Sequence, residues 1–161
     1  MIRVLRISTS TAVMLLTALL FHASTPFSAA YSQKTRAGDD EGPLFSEYRS
    51  VRIGMTAEEV RKKLNNPNDK SDEQDFFVFS DNESAQVFYD KSKKVFAISV
   101  NFLKDARELP TAKGVFGADI AAKPDGSIYK MVRYPKAGCW VSFSRTAGDS
   151  PLTTVTLQKI E

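Results

Sequence analysis

The sequence predicts an α+β fold, with short helices packed on one face of an antiparallel sheet and two tandem αα-βββ units. Three observations carry that expectation. Thr56-Ala57-Glu58-Glu59 is a capping box that opens a short amphipathic helix. Three strand-like runs follow it, separated by polar turns. A similar order of elements then returns at an offset of 55 residues. Composition agrees with a packed domain: of 161 residues, 42% are hydrophobic and 25% charged, with 8 Gly and 7 Pro. That balance excludes a collagenous or largely disordered chain.

Residues 1–30 read as a signal peptide rather than as fold. Arg3 and Arg6 form a basic start, Ala12 to Phe21 an apolar run, and Ser28 and Ala30 the small residues at −3 and −1 of a cleavage site. The run is too short for the ~20 residues that span a bilayer. Without Arg3 and Arg6, twenty basic residues face nineteen acidic ones, so the formal charge falls from +3 to +1. No basic stripe remains for a nucleic acid. The single His, His22, leaves with the signal, which excludes a Ser-His-Asp or Cys-His pair and any imidazole metal ligand. No cofactor or metal is expected, and the chain reads as non-catalytic. No Cys follows the apolar run, so no lipid anchor is expected. The location implied is periplasmic or secreted, with outer-membrane association left open.

Residues 31–43 are nearly free of apolar side chains and read as a disordered arm in which Asp39, Asp40 and Glu41 are solvated. Residues 44–49 are expected to make one helical turn. In the helix opened by Thr56, Met55 and Val60 form the hydrophobic staple, Val60 and Leu64 face the core, and Asn65-Asn66-Pro67 ends it. Strands follow over residues 76–79, 85–89 and 95–102. Alternation in the third puts Phe96, Ile98, Val100 and Phe102 on the core face, and Val95, Ala97, Ser99 and Asn101 on the other.

A degenerate second unit is expected over residues 103–161, after a first over 44–102. Thr111-Ala112-Lys113-Gly114-Val115 matches Thr56-Ala57-Glu58-Glu59-Val60, although Gly114 and Gly117 weaken that helix. Strands are expected over 131–134, around Val141 to Phe143, and over 152–160, where Val155 and Leu157 point inward. Cys139 reads as a buried small hydrophobe, with a reactive thiol or an intermolecular disulfide as alternatives.

If Cys139, Val141 and Phe143 face inward, Trp140, Ser142 and Ser144 lie on an open face. Thr154, Thr156 and Gln158 join them from the last strand, and Gln86 and Phe88 from the first unit. Trp and other aromatics dominate interface energetics, so Phe88, Trp140, Ser142 and Thr156 are the candidate protein-binding residues. A slip of one residue would exchange the two faces.

The run Ile53-Gly54-Met55-Thr56, Glu59-Val60, Leu64 and Pro67, followed by three strands, resembles the BamE (SmpA/OmlA) family. Those proteins are small outer-membrane lipoproteins that assist the β-barrel assembly machinery. The resemblance covers residues 48–102, and the family's lipidated Cys is missing here. The tandem arrangement is similar instead to the β-lactamase inhibitory proteins, whose sheets grip an enzyme. The likeness implies a non-catalytic binding module acting in outer-membrane assembly or envelope integrity. The alternative is a secreted or periplasmic enzyme inhibitor. Either way the partner is a protein.

Overall fold

The structure, a computed structural model, describes residues 42–160. The expected signal peptide and nearly all of the expected arm lie outside them. The chain runs α1 (Ala57–Leu64), β1 (Asp69–Lys70), β2 (Gln74–Ser80), β3 (Glu83–Tyr89), β4 (Val95–Phe102), α2 (Ala112–Phe116), β5 (Ile128–Tyr134), β6 (Cys139–Arg145) and β7 (Thr153–Lys159). All strands join one seven-stranded sheet in the order β1-β2-β3-β4-β7-β6-β5, and every neighbouring pair is antiparallel.

This overturns the expected fold class. The chain is mainly one antiparallel sheet with α-helices of only eight and five residues, not a helix-covered pair of αα-βββ units. Two local causes account for the difference. Residues 44–49 do not turn helically; Tyr48 and Val51 exchange backbone hydrogen bonds of 3.0 and 2.8 Å across Arg49 and Ser50. Both turn residues hold positive φ, 48° and 65°, as a tight two-residue reversal demands. Such φ values cost non-glycine residues about 1–3 kcal/mol each. The cost is offset because the reversal buries Tyr48 and Val51 and fixes Arg49, whose guanidinium lies 4.3 Å from the Phe79 ring centre and 3.0 Å from Glu83. The second cause is Gly117, which ends α2 after five residues in the left-handed conformation at φ 73°.

The capping box forms as the sequence predicts. Glu59 donates its backbone N–H to the Thr56 hydroxyl, and its carboxylate accepts the Thr56 N–H at 2.8 Å. Val60 and Leu64 enter the core from α1, Ala112 and Val115 from α2. The sheet supplies the rest through two cross-strand rows. One is Val87–Ile98–Leu157–Val141 and the other Ala85–Val100–Val155–Phe143, all buried.

One strand assignment shifts by a residue. Phe88 pairs with Ala97 but Tyr89 pairs with Val95, so Phe96 is an extra residue in a bulge. Val95 therefore joins the core, and Phe96 leaves the face on which strict alternation put it. Its ring instead meets Phe88 at 6.2 Å.

α1 is tied to the sheet by a buried charge. Asp75, fully buried on β2, accepts two hydrogen bonds from Arg61 at 2.8 and 2.9 Å and a third from the Tyr89 hydroxyl at 2.7 Å. Every buried side-chain polar atom among the described residues has a partner.

Removing one member of a buried ion pair leaves the other uncompensated, so Arg61→Met should cost about 3–5 kcal/mol in urea unfolding. Burial, and then the bond to Asp75, push the Tyr89 hydroxyl well above the ordinary tyrosine range. A folded-state pKa raised in this way supports stability fully below the unfolded value, about 10, and loses that support as pH rises beyond it. Tyr89→Phe should therefore lose less stability than the wild type between about pH 8 and pH 11. Equal losses would contradict the coupling.

Candidate protein-binding face

Opposed residues in an antiparallel pair share a face, so the register fixes what the side away from the core presents. Three rows cross it. Gln74, Phe88, Ala97, Gln158, Trp140 and Arg133 make the first. Phe76, Gln86, Ser99, Thr156, Ser142 and Met131 make the second, and Val78, Ser84, Asn101, Thr154, Ser144 and Tyr129 the third. No helix of the described residues covers these rows with a buried side chain; α1 and α2 contribute theirs to the opposite, core cluster.

The face is zoned. Over β4 and β7 it is polar, and its hydroxyls bond one another. Ser99 and Thr156 lie 3.1 Å apart, and Thr154 donates to Asn101 at 2.8 Å. Apolar and aromatic side chains flank this stripe: Phe76, Val78, Phe88 and Phe96 on the β2–β3 side, Tyr129, Met131 and Trp140 on the β5–β6 side. Of these, Tyr129 is 57% exposed, Val78 46% and Met131 43%.

The four candidate residues fall on this face, each half-buried. Phe88 and Trp140 share one row three strands apart, or roughly 14 Å at the usual strand spacing. Ser142 and Thr156 are direct cross-strand neighbours in the next row. Thr156 already shares a hydrogen bond with Ser99, so it shapes the polar stripe before any ligand arrives. Phe88 and Trp140 do not touch, and a ligand must span the sheet to meet both.

Sequence reasoning missed Phe96, Tyr129, Met131 and Arg133 on this side. Alternation outward from Val132 and Tyr134 would have found Met131 and Arg133, and a strand started three residues earlier would have added Tyr129. Nothing in the sequence marks the bulge that brings out Phe96.

A groove runs off the Phe88 end of the face, floored by Phe88 and Phe96 and walled by Asp90, Lys93, Asp72 and Lys159. Two of its three carboxylates, Asp72 and Asp90, are committed. Asp72 pairs with Lys93 at 2.9 Å, and Asp90 accepts from the Ser92 hydroxyl and from the Ser92 and Lys94 N–H groups. Those bonds, the Ser92 hydroxyl first, hold the Asp90 carboxyl below its ordinary range. This is turn chemistry rather than an acid/base pair. Among the described residues, no group of three or more His, Cys, Asp or Glu side chains is placed to hold a metal ion. Cys139 is buried on the core face, and burial pushes its thiol pKa up, away from the reactive thiolate. No helix among the described residues is long and apolar enough to cross a membrane.

Protein-family profiles, curated proteins and solved structures all return no match to this chain.

Trp140 is the only tryptophan, so its emission reports this face alone. Half-buried, it should be quenched by acrylamide in the native protein, and ligand occupation of the face should reduce that quenching. An indole already inaccessible in the free protein would show that the face is covered.

Proposed function

We propose that this chain is a non-catalytic, exported protein-binding module of the cell envelope, in the manner of the BamE-like proteins that residues 48–102 resemble. The observation that carries the reading is the sheet face away from the core. Phe88 and Trp140 flank a stripe of Ser, Thr and Gln on rigid strands, with no helix of the described residues laid over it. Interface cores are enriched in Trp, Tyr, Phe, Met and Arg, and this face offers all five in Trp140, Tyr129, Phe88, Met131 and Arg133. Their position on strands rather than loops limits the ordering cost of binding.

Two further features support the reading. The start of the sequence has the organisation of an export signal. The one fully buried carboxylate is spent on structure, since Asp75 is held by Arg61 and by the Tyr89 hydroxyl. The partner is a folded protein with a surface broad enough to bridge the polar stripe. Inhibition of a secreted or periplasmic enzyme is the second reading, and the same exposed strands would serve it.

The test is affinity capture from a periplasmic extract with the wild type, Trp140→Ala and Phe88→Ala as bait. Truncating a central interface aromatic typically costs 2 kcal/mol or more, about thirtyfold in Kd, so each variant should lose the captured protein while keeping its circular dichroism. Recovery of β-barrel assembly components supports the envelope role, and saturable inhibition of a captured enzyme supports the second. Undiminished capture by both folded variants would sink the proposed face.

A further inference from the structure

The two edges of the sheet are finished differently. Beside β2, the two-residue strand β1 is charged and exposed, follows Pro67, and pairs Asp69 with Phe76 and Lys70 with Asp75. Asn68 completes the cover: its N–H donates to the Phe76 carbonyl and its side-chain oxygen accepts the Val78 N–H, each at 2.8 Å. Short, charged, capped edges of this kind resist pairing with another chain. The β5 edge carries the charges of Lys130 and Arg133 but is neither short nor capped. Its seven residues pair with β6 on one side, and no strand among the described residues lies on the other.

From this asymmetry we infer that β5 is the edge through which a second copy of this chain docks. The pairing is antiparallel and two-fold symmetric, and it continues the sheet from one molecule into the next. The residue order along β5 favours this occupant. Centring the pair on Met131 sets Met131 against Met131, Tyr129 against Arg133, Lys130 against Val132 and Ile128 against Tyr134. All seven residues pair, and no like charges are directly opposed. Centring on Lys130 or on Arg133 would instead set two cations against each other, which destabilises a cross-strand pair.

The side chains suit the arrangement. The Arg133 side chain is exposed and makes no ion pair or hydrogen bond among the described residues, so its guanidinium is free to lie on the ring of Tyr129 from the other copy. Lys130 points its ammonium the other way, over the Phe116 ring of its own molecule at 5.3 Å. Tyr129 and Met131 are the two large apolar side chains that β5 leaves most exposed, at 57% and 43%. Both would pack beside β5 side chains of the other copy while the face itself stays open. The interface is isologous, as most homodimer contacts are. The face bearing Trp140 would run on across the junction, giving one surface with two copies of the proposed binding patch.

Sedimentation velocity of the purified full chain, from about 1 µM to about 1 mM, reads the association. The expected result is a concentration-dependent doubling of mass. Met131→Lys places two ammonium groups together at the symmetry axis, on a side chain that the fold leaves exposed. It should abolish the doubling and any concentration dependence of the melting temperature while leaving circular dichroism unchanged. A second pair of variants locates the axis in a Cys139→Ser background. Met131→Cys should crosslink to itself on mild oxidation, because opposed Cα atoms lie about 4.5–5.5 Å apart, within disulfide range. Tyr129→Cys, facing Arg133, should not. A protein monomeric at every concentration overturns the inference. So does a dimer that survives Met131→Lys, or crosslinking that is equal at both positions.

Discussion

The pairing of β4 with β7 is the contact on which the rest of the molecule depends. It joins the meander β1–β4 to the meander β5–β7 through six registered pairs, from Ala97 with Gln158 to Phe102 with Thr153. Each meander alone would leave its inner strand, β4 or β7, as a long open edge with unpaired backbone groups. The seam is also where the two sides of the sheet differ most. Ile98–Leu157 and Val100–Val155 are buried on one side, while Ser99–Thr156 and Asn101–Thr154 bond each other on the opposite side. A register slip of one residue would send those hydroxyls and the amide into the core and the aliphatics into water. Burying an unsatisfied polar group costs about 1–3 kcal/mol, so the register is held from both faces at once.

Away from the seam, polar anchors take over from apolar rows. At the β2 end, Asp75 lies fully inside the protein and is neutralised by a bidentate Arg61 from α1 and the hydroxyl of Tyr89 from β3. The geometry fixes where the eight-residue helix sits, which its three buried residues, Ala57, Val60 and Leu64, would do less sharply. The reversal at Arg49-Ser50 behaves similarly. Its backbone strain is held by the Arg49 contacts to Phe79, Tyr48 and Glu83, which clamp the incoming chain to β2 and β3. Short helices suffice because these anchors, rather than a layer of helix packing, close the core.

The surface left over follows from that closure. With the helices and the incoming chain committed to one side, the other presents a polar centre and aromatic margins. The Phe96 bulge enlarges one margin by adding a second ring beside Phe88. The exposed Tyr129 and Met131 enlarge the other, next to the one long strand edge without a partner among the described residues. Binding face and unpaired edge thus meet at the β5–β6 corner.

Local chemistry was legible in the sequence because it acts over a few residues. The capping box at Thr56 and Glu59, the Pro67 stop, and six of the seven strands follow from hydrogen-bonding side chains and two-residue alternation. So does the division of β6 and β7 into inward Val141, Phe143, Val155 and Leu157 and outward Trp140, Ser142 and Thr156. What failed was everything that needed a distant partner. Residues 44–49 took a reversal rather than a helical turn because Phe79 and Glu83, thirty or more residues away, hold Arg49. Phe96 changed faces because β3 meets β4 with one residue to spare. The fold class itself turned on the helical turn that residues 44–49 do not make and on the early stop of α2 at Gly117, which left one antiparallel sheet with two short helices where two helix-covered units were expected. The sequence by itself determined which side of each strand is apolar. Only the tertiary structure decided which strands became neighbours, since pairing energy is gained between segments that no local pattern connects.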